Sequence, residues 1–482
     1  MFGASLGVSV FSLIAIAKLL EKPASEYKTE EIDINALSDK YLQGYATLID
    51  AYGTKIPGSS DGQTAIAMMK AYSKVKLDNM HCKVLRIYKP MEHPTQIFPR
   101  RHSILEYMDE EKMILEAEKE VQNPVDSFGQ QPLTKNQLKK LAKKKPIDDI
   151  LAAIEDDARM RDELKSTVAL VMISVIENYD LTETLTGMFG RAVQKLLGKE
   201  SKSKLLCVRL GLLGFHWPFR QATFFTSHAK KPVSRACEIH RAITDWNKQL
   251  PSSEKFSMLM DPTYEHTFME KSIAPSGWVR VQFPASHIID LRPHTGETLD
   301  EYMKAVKYRS QSGKFYQDKG KVIESYEFTD EECHKLIDMW KNTADKRGSE
   351  GHTATLAKPD YDMIKKMKSE PSEKHKRSLL FLEINGETIA SSIIFRFGST
   401  ITSDIQGLDY EKSRDYKAYF VMMQYVIEMG LKEKRGFVDF GPTTAQAKLS
   451  IGCQSVPIVG GINAGWFISL CTRIAASRGL NV

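Results

Sequence analysis

The segment from Phe381 to Ile458 decides the fold of this chain. Its hydrophobic pattern predicts the order strand, strand, strand, helix, strand, and it closes on Phe437-Val-Asp-Phe-Gly-Pro-Thr-Thr-Ala-Gln-Ala-Lys448. Asn385-Gly386 is typical of a tight primed hairpin turn, because both residues tolerate a positive φ. A glycine turn and a short helix that carries a lysine therefore follow the last strand of this order.

The predicted elements of this part of the chain alternate between the two hydrophobic periods. They are strands at Leu379–Ile384, Thr388–Phe397, Ser403–Leu408, Phe437–Phe440 and Ser455–Val459, with helices at Tyr419–Lys434 and Ala445–Ile451. Upstream, Lys321 to Phe328 is predicted as a strand, and Thr329-Asp-Glu-Glu332 as a capping box that begins a helix. A further helix is predicted over Tyr361 to Lys368. The complete order from Lys321 is therefore β-α-α-β-β-β-α-β-α-β.

A long basic helix is predicted in front of this order, over Thr298 to Lys319, with Lys307 and Arg309 on it. With this helix and the Asp439-Phe-Gly441 ending before Lys448, the chain resembles the GNAT acyltransferase superfamily, and its FemAB-related branch in particular. Members of that branch fuse two GNAT-like units. The resemblance implies an α+β fold with α/β-type layers and two mixed-sheet units.

The weaker set of strands and helices between Leu205 and Leu291 is predicted to be the first of these units. The resemblance then covers residues 205–460, a little over half of the chain. We predict a membrane-associated helix at residues 1–21 and a mostly helical region with a charged insertion at residues 22–199. A degenerate first unit follows at residues 200–295, and the second unit with a C-terminal tail at residues 296–482.

The N-terminal segment predicts attachment to a membrane. Residues Phe2 to Ala17 carry no charge, and the apolar run continues to Leu20. The nearest lysines, Lys18, Lys22 and Lys28, lie at the end of the run or after it, so the positive-inside rule leaves the rest of the chain on the cytosolic face. The alternative is a first helix that packs into the core or lies flat on a membrane. We expect residues 2–20 to associate with the membrane and the catalytic part to face the cytosol.

Composition sets further limits on function. The 482 residues carry a net charge of +6, a mild excess that favours anionic partners. The six cysteines are scattered without a Cys-x-x-Cys pair, so the sequence predicts neither a zinc site nor a disulfide scaffold. Reduced, buried thiols are expected instead. The basic run Lys135 to Lys145 has no interleaved aromatics and so does not indicate nucleic-acid binding. It is either attracted to an anionic membrane surface or a solvated helix face.

The resemblance implies acyl transfer to an amine of a small molecule or peptide, with a hydroxyl acceptor as the weaker possibility. Acyl-CoA is the expected co-substrate, and no tightly bound cofactor is expected. One departure leaves the donor open: the junction Gly407 to Lys417 lacks the glycine-rich loop that ordinary GNAT enzymes use for the cofactor pyrophosphate. The alternative donors are an aminoacyl-tRNA, which is the condition under which nucleic acid would bind, and an acyl-carrier protein. The remaining alternative is a scaffold without catalysis.

Several residues are candidates for the site. For the donor phosphates these are a helix N-terminus with its free N–H groups and the side chains of Lys412, Arg414 and Lys417. Lys448 is the first candidate for meeting a phosphate or the oxyanion, its alternative being a surface lysine. Asp439 is a candidate general base because strand alternation places it opposite Val438 and Phe440, and Asp404 is its rival.

The remaining candidates have competing structural explanations. Gly441 fits a close backbone approach or a positive φ, while Thr443 and Thr444 either cap the following helix or donate to the acyl carbonyl. Lys307 and Arg309 are candidates for binding an anionic substrate. His216, which lies among aromatics, and His352, in a glycine-rich loop, are candidate bases. Cys453 is a candidate nucleophile. For each of the three, the alternative is a buried structural residue.

Overall fold

The structure is a computed structural model of the chain. It describes residues 25–52, 62–74, 80–90, 163–164, 166–180, 207–214, 232–260, 263–264, 268–308, 310, 312–349, 359, 361–366, 368, 377–397, 400–442 and 444–464. Within these ranges no helix is long and apolar enough to cross a membrane. The predicted membrane segment at residues 2–20 and the basic run at residues 135–145 lie outside the described residues.

The first unit begins near the start of the described chain. Its elements are β1 (Lys28–Ile32), α1 (Asp39–Tyr52), α2 (Gly62–Ser73), β2 (Met80–Tyr88), β3 (Thr167–Asp180), β4 (Cys207–Leu213), α3 (Pro232–Gln249), β5 (Ser257–Met260), β6 (Thr263–Tyr264), α4 (Phe268–Ile273) and β7 (Val279–Asp290). Apart from the two-residue β6, this is the order β-α-α-β-β-β-α-β-α-β that the sequence predicted for the second unit.

The predicted domain boundaries therefore need correction. Residues 22–199 are not mostly helical in their described part, since they hold β1, β2 and β3, and the strands of the first unit begin well before residue 200. Two features concealed them. β3 is a nearly continuous apolar run, which periodicity alone does not distinguish from a buried helix. Moreover, β2 and β3 are adjacent strands, with Tyr88 paired to Thr167, although the charged insertion separates them in sequence.

The second unit follows a connecting region with α5 (Leu299–Ala305) and α6 (Gly313–Gln317). Its elements are β8 (Lys321–Ser325), α7 (Asp330–Ser349), α8 (Tyr361–Lys366), β9 (Arg377–Ile384), β10 (Glu387–Phe397), β11 (Thr400–Leu408), α9 (Tyr410–Asp415), α10 (Ala418–Lys432), β12 (Phe437–Asp439), α11 (Ala445–Ser450) and β13 (Gln454–Asn463). The predicted element order from Lys321 is confirmed, with the short α9 added.

Two local predictions are confirmed and one is wrong. Asn385 and Gly386 have φ of 52° and 82°, as the primed hairpin turn requires. The capping box forms, because the Glu332 amide donates to Thr329 Oγ1 at 3.2 Å and the Thr329 amide donates to Glu332 Oε2 at 2.8 Å. The long basic helix at 298–319 is instead the two short helices α5 and α6. Ser310 and Ser312 lie between them and Gly313 begins α6, and serine and glycine are poor helix formers.

The two units share one mixed sheet. Its strand order is β1-β2-β3-β4-β5-β13-β7-β12-β11-β10-β9-β8 in the described part of the chain, with β6 paired to β13. Each unit gives its last strand to the other: β7 lies between β12 and β13, and β13 lies between β5 and β7. The pairs β4–β5 and β11–β12 are the parallel ones. The units are thus joined by a reciprocal strand exchange at the centre of the sheet.

The hydrophobic cores follow from this exchange. On one face, helices α1, α2 and α7 bury side chains such as Tyr45 and Trp340 in a core that both units share. On the other face, α10 covers the second unit and α3 covers the first. Val459, on the last strand of the chain, packs in the core of the first unit. Because the last strand of each unit packs in the other, the geometry at the centre of the sheet depends on both.

Candidate active site at the junction of the two units

The parallel strands β11 and β12 pair over only three residues. Thr400 to Thr402 pair with Phe437 to Asp439, after which β11 continues to Leu408 paired with β10 but not with β12. The chain after Asp439 stays paired with β7 instead, since the Phe440 amide donates to the His287 carbonyl at 3.0 Å. The two strands therefore diverge, which leaves a gap in the sheet with Asp404 on one side and Phe440–Gly441 on the other. In the first unit, β4 and β5 stay paired to their last residues, Leu213 and Met260.

A bulge in β11 contributes to this divergence. The β10–β11 register shifts between Ser391 and Ile393, and Ile405 has a φ of 44°. A β-branched residue at positive φ is a strained conformation that costs on the order of 1–3 kcal/mol. Local hydrogen bonds hold it: the Ile405 amide donates to Asp404 Oδ1 at 2.7 Å, and Ser392 Oγ donates to the Asp404 carbonyl at 2.8 Å.

Gly441, at the border of the gap, makes hydrogen bonds through both its amide and its carbonyl. Its φ of 78° favours glycine. Its amide donates to Asp439 Oδ1 at 2.8 Å. Its carbonyl accepts from the His287 amide at 3.1 Å, from His287 Nδ1 at 3.0 Å and from Lys448 Nζ at 3.0 Å. Both peptide groups of this residue are therefore held, and the turn after β12 has a defined position.

Lys448 is buried. Only 1% of the residue is exposed, so the alternative of a surface lysine is wrong. Helix α11 points it back at the turn after β12, where Nζ donates to the Phe440 carbonyl at 2.5 Å and to the Gly441 carbonyl. A buried ammonium is costly unless hydrogen bonds replace its water. These carbonyls supply that replacement, so the lysine holds the turn.

Asp439 lies on the opposite face from its neighbours, as predicted. Val438 and Phe440 pack in the core beneath α10, whereas Asp439 Oδ1 accepts from Ser286 Oγ at 2.6 Å. The carboxylate is 4% exposed, and the same Oδ1 accepts from the Gly441 amide. Two donors fix the orientation of this oxygen, so Asp439 holds the Gly441 turn at the border of the gap.

Asp404 is half-buried, and it lies two residues beyond Thr402, the partner of Asp439 in the register. Tyr72, on helix α2 of the first unit, interacts electrostatically with Asp404. Burial raises the pKa of the Tyr72 phenol well above 10; Cys82 and Asp404 add to the rise, and Arg377 opposes it. Both predicted general bases therefore lie on the two strands that border the gap, and Asp404 is the more exposed of them.

The cationic residues after β11 are exposed: Lys412 and Arg414 lie on α9, and Lys417 lies at the start of α10. Lys412 forms an ion pair with Glu387, and Asp409 caps α9 by accepting from the Glu411 and Lys412 amides at 3.0 and 3.1 Å. This short helix was not predicted, and a carboxylate of the protein already binds its first N–H groups.

Helix α10 begins differently. Its N-cap is Lys417, which has a φ of 51° and makes no side-chain cap hydrogen bond. Lys314 of α6 lies nearby, with Nζ 5.0 Å from the centre of the Tyr416 ring. The start of α10 therefore combines a helix N-terminus with positive charge, whereas the start of α9 carries a negative one.

Other predicted residues are placed less centrally or not described. Lys307 is exposed and has a φ of 56° just after α5, and Arg414 is exposed on α9. Thr444 is the N-cap of α11 but makes no capping hydrogen bond, so its predicted capping role is wrong. Cys453 is buried, and burial raises the pKa of its thiol to about 12, with Lys448 opposing and Asp439 adding. Four candidates lie outside the described residues: Arg309, Thr443, His216 and His352.

Sequence reasoning missed Ser286 and His287. Both are buried on β7, with exposures of 0% and 3%, and they contact the second unit from the first. A signal was present, because two adjacent polar residues precede the apolar pair Ile288-Ile289 in a strand. This strand contacts the second unit at sequence separations of 153 and 154. Nothing in the local pattern indicates that it pairs with a strand so far along the chain.

Comparison with known families agrees with this geometry. Residues 306–449 match the family described as acetyltransferase (GNAT) domain. The second unit is thus similar to GNAT domains. The match begins in the connecting region and ends on α11, so it includes β11, β12 and the gap between them. The resemblance to the GNAT-like superfamily is therefore confirmed, and the match supports a transferase.

Several solved structures are similar to this chain at low sequence identity. A tandem GNAT protein from the clavulanic acid biosynthesis pathway is 7% identical, with a TM-score of 0.44 over 91% of this chain and 98% of that chain. FemX is 10% identical, with a TM-score of 0.38 over 61% and 85%. The C-terminal domain of a putative lysylphosphatidylglycerol synthetase from Agrobacterium fabrum is 8% identical, with a TM-score of 0.35 over 56% and 84%. The curated proteins contain no significant match.

Proposed function

We propose that the GNAT domain of this chain transfers an acyl group from a thioester, acyl-CoA, to the amine of a small molecule or peptide. The observation that carries this proposal is the divergence of β11 from β12 after Thr402 and Asp439 within a matched GNAT domain. The gap exposes strand edges to a substrate without unfolding the sheet. Its border is fixed by the Gly441 turn, as preorganised catalysis requires.

The reaction needs a proton acceptor and donors for the carbonyl. The amine nitrogen forms a bond to the acyl carbon and gives a proton to a base. The carbon–sulfur bond then breaks, and the leaving thiolate takes that proton to depart as the thiol. We assign the base to Asp404, because it is more exposed than Asp439 and Oδ1 of Asp439 already accepts two hydrogen bonds. We assign the acyl carbonyl to the backbone amides of β11 beyond Thr402, where β12 no longer pairs with the strand.

Lys448 and Asp439 act on the turn in this proposal. The Lys448 ammonium donates to two backbone carbonyls, which supports a role in holding the border of the gap in place of direct contact with a phosphate. Asp439 holds the amide of Gly441 from the other face of the sheet. A misplaced border would raise the barrier, since proximity and orientation are a large part of acyl-transfer catalysis.

The start of α10 supports acyl-CoA as the donor. A helix N-terminus beside lysines stabilises phosphate, and Lys417 and Lys314 are the nearby cations. A titration with acetyl-CoA tests this, because a ligand of the folded state raises the melting temperature with its concentration. Lys417→Glu should weaken that shift. Lys341→Glu is the matched control, since Lys341 is an exposed lysine on α7, paired with Asp338.

One observation favours a second donor class, aminoacyl-tRNA. Asp409 occupies the start of α9 with a carboxylate, at the junction where the sequence also lacks the glycine-rich loop. If no CoA thioester shifts the melting temperature, whereas an aminoacyl-tRNA binds in a filter assay, this second donor replaces the first. If neither binds, the domain is better explained as a scaffold.

Membrane association through residues 2–20 is also a proposal, based on the apolar run and the lysines after it. Cell fractionation of the full chain and of a variant that lacks residues 1–20 tests it. The deletion should move the protein from the membrane pellet to the supernatant. A variant that stays with the pellet would place the attachment elsewhere, with the basic run at residues 135–145 as the next segment to delete.

A further inference from the structure

We propose that His287, a residue of the first unit, is a positioning residue for the acyl-transfer site of the second unit. The inference rests on the proposed function, but its structural part is measurable without any activity. It follows from three features of β7: the place of the strand in the sheet, the hydrogen bond made by the ring of His287, and the contacts of the preceding residue, Ser286.

The place of β7 puts His287 directly beside Phe440 and Gly441, the segment that borders the gap. The strand is inserted between β12 and β13, so its residues pair with the second unit on both sides. His287 extends the β12 pairing past Asp439, with its carbonyl accepting from the Phe440 amide at 3.0 Å and its amide donating to the Gly441 carbonyl at 3.1 Å. The backbone of His287 thus leads the chain after β12 away from β11.

The ring adds a bond that the backbone alone does not supply. Nδ1 lies 3.0 Å from the Gly441 carbonyl oxygen. Because a carbonyl oxygen only accepts, Nδ1 must carry the hydrogen. The ring is almost fully buried, at 3% exposure, where a hydrogen bond is worth more than at a surface. The same oxygen accepts from Lys448, so a side chain from each unit holds it.

Ser286 completes the arrangement from the other face of the sheet. Successive side chains on a strand point to opposite faces. Ser286 Oγ donates to Asp439 Oδ1, the atom that accepts from the Gly441 amide. Two consecutive residues of the first unit therefore act on the two peptide groups of Gly441, one on each face. This contribution explains a role for the first unit, whose own β4–β5 pair shows no gap in the described residues.

Two substitutions separate the ring nitrogens. In His287→Asn the amide nitrogen takes the place of Nδ1 and can still donate to Gly441, whereas in His287→Gln it takes the place of Nε2. We expect amide hydrogen exchange at Phe440 and Gly441 to rise at least about tenfold in the Gln variant and to stay within about threefold of the wild type in the Asn variant. In an acyl-transfer assay, the Gln variant should lose kcat by a similar factor with little change in KM for the donor, because binding away from the turn is unaffected.

The outcomes distinguish failure of the positioning role from failure of the proposed function. Equal exchange in the two variants, or an Asn variant as impaired as the Gln variant, overturns the positioning role. Exchange that follows the expected order while the wild type transfers no acyl group supports the positioning of Gly441 and removes the proposed function instead. A kcat that falls equally in both variants while exchange follows the expected order overturns the link between the turn and the chemistry. If the Gln variant does not fold, a folded Asn variant with wild-type exchange and kcat supports the proposal, and a folded Asn variant with raised exchange overturns it.

Discussion

Ser286 Oγ lies 2.6 Å from Asp439 Oδ1, and this hydrogen bond joins the last strand of the first unit to the strand that borders the gap in the second. Both residues are buried, at 0% and 4% exposure. The bond exists because the units exchange their final strands, so that residues far apart in sequence become neighbours in the sheet. The site is therefore a product of both units, although the family match covers one of them.

Ser286→Ala should destabilise the chain. It leaves a buried carboxylate with one donor fewer, a change that costs about 1–3 kcal/mol. Urea denaturation followed by circular dichroism measures the change in the free energy of unfolding. Ser450→Ala is a suitable control, because Ser450 is exposed and its hydroxyl donates to the Ala447 carbonyl of its own helix. A Ser286 variant no less stable than this control would contradict the importance of the bond.

Lys448→Met should lower both stability and activity. Methionine keeps much of the side-chain volume but leaves the Phe440 and Gly441 carbonyls without the ammonium, at a cost of about 1–3 kcal/mol. Thermal unfolding and acyl-transfer rates measure the two effects. Lys417→Met, at an exposed position, should leave stability nearly unchanged. A Lys448 variant with wild-type stability would show that the turn is held without it.

Val459→Ala should loosen the first unit, although Val459 lies in the last strand of the chain. Its side chain is fully buried in the core beneath α3, together with Trp278. Removing two methyl groups there should cost about 1–3 kcal/mol. Hydrogen exchange should therefore accelerate in β5 and α4. Leu449→Ala, at a side chain that is 49% exposed, provides the comparison. Faster exchange confined to the second unit would contradict the strand exchange.

His240 should make the stability depend on pH. Burial lowers the pKa of this histidine from 6.5 to about 3, while Ser272 Oγ lies 3.2 Å from Nδ1. The unfolded chain then takes up a proton that the folded chain does not, so stability is complete above pH 6.5 and falls as the pH decreases toward 3. The expected loss at pH 5 is about 2 kcal/mol relative to pH 8.

Denaturant melts of the wild type and His240→Asn over this pH range measure that loss by difference, which subtracts the carboxyl groups common to both proteins. The variant should show a shallower decline between pH 6.5 and pH 5. Parallel curves for the two proteins would mean that His240 is protonated in the folded state.

The second unit could be predicted from the sequence because its signals are local. Asn385-Gly386 fixes one hairpin and Thr329 with Glu332 begins one helix, so the element order follows without knowledge of the partners. Asp439, Gly441 and Lys448 were found for the same reason, since they lie within one short segment. Their geometry was not: the burial of Lys448 depends on a turn that only the tertiary structure defines.

The first unit and the contribution of β7 could not be predicted in this way. The apolar run of β3 does not show its period, and the pairing of β2 with β3 crosses a long insertion. Ser286 and His287 form a site with residues more than 150 positions away, and hydrophobic patterns carry no information on which strands pair. Strand exchange between units is thus invisible to local analysis.

The most direct test of the acyltransferase assignment is the transfer of a radiolabelled acyl group from acyl-CoA to a panel of amines by the purified full-length chain. The wild type should form a labelled amide, and Asp404→Asn should lower the rate about 10²- to 10⁴-fold while the protein remains folded. Asp338→Asn, at an exposed carboxylate on α7, should retain the wild-type rate. No labelled amide from the wild type, or equal rates in the wild type and Asp404→Asn, would contradict the catalysis proposed for the gap between β11 and β12.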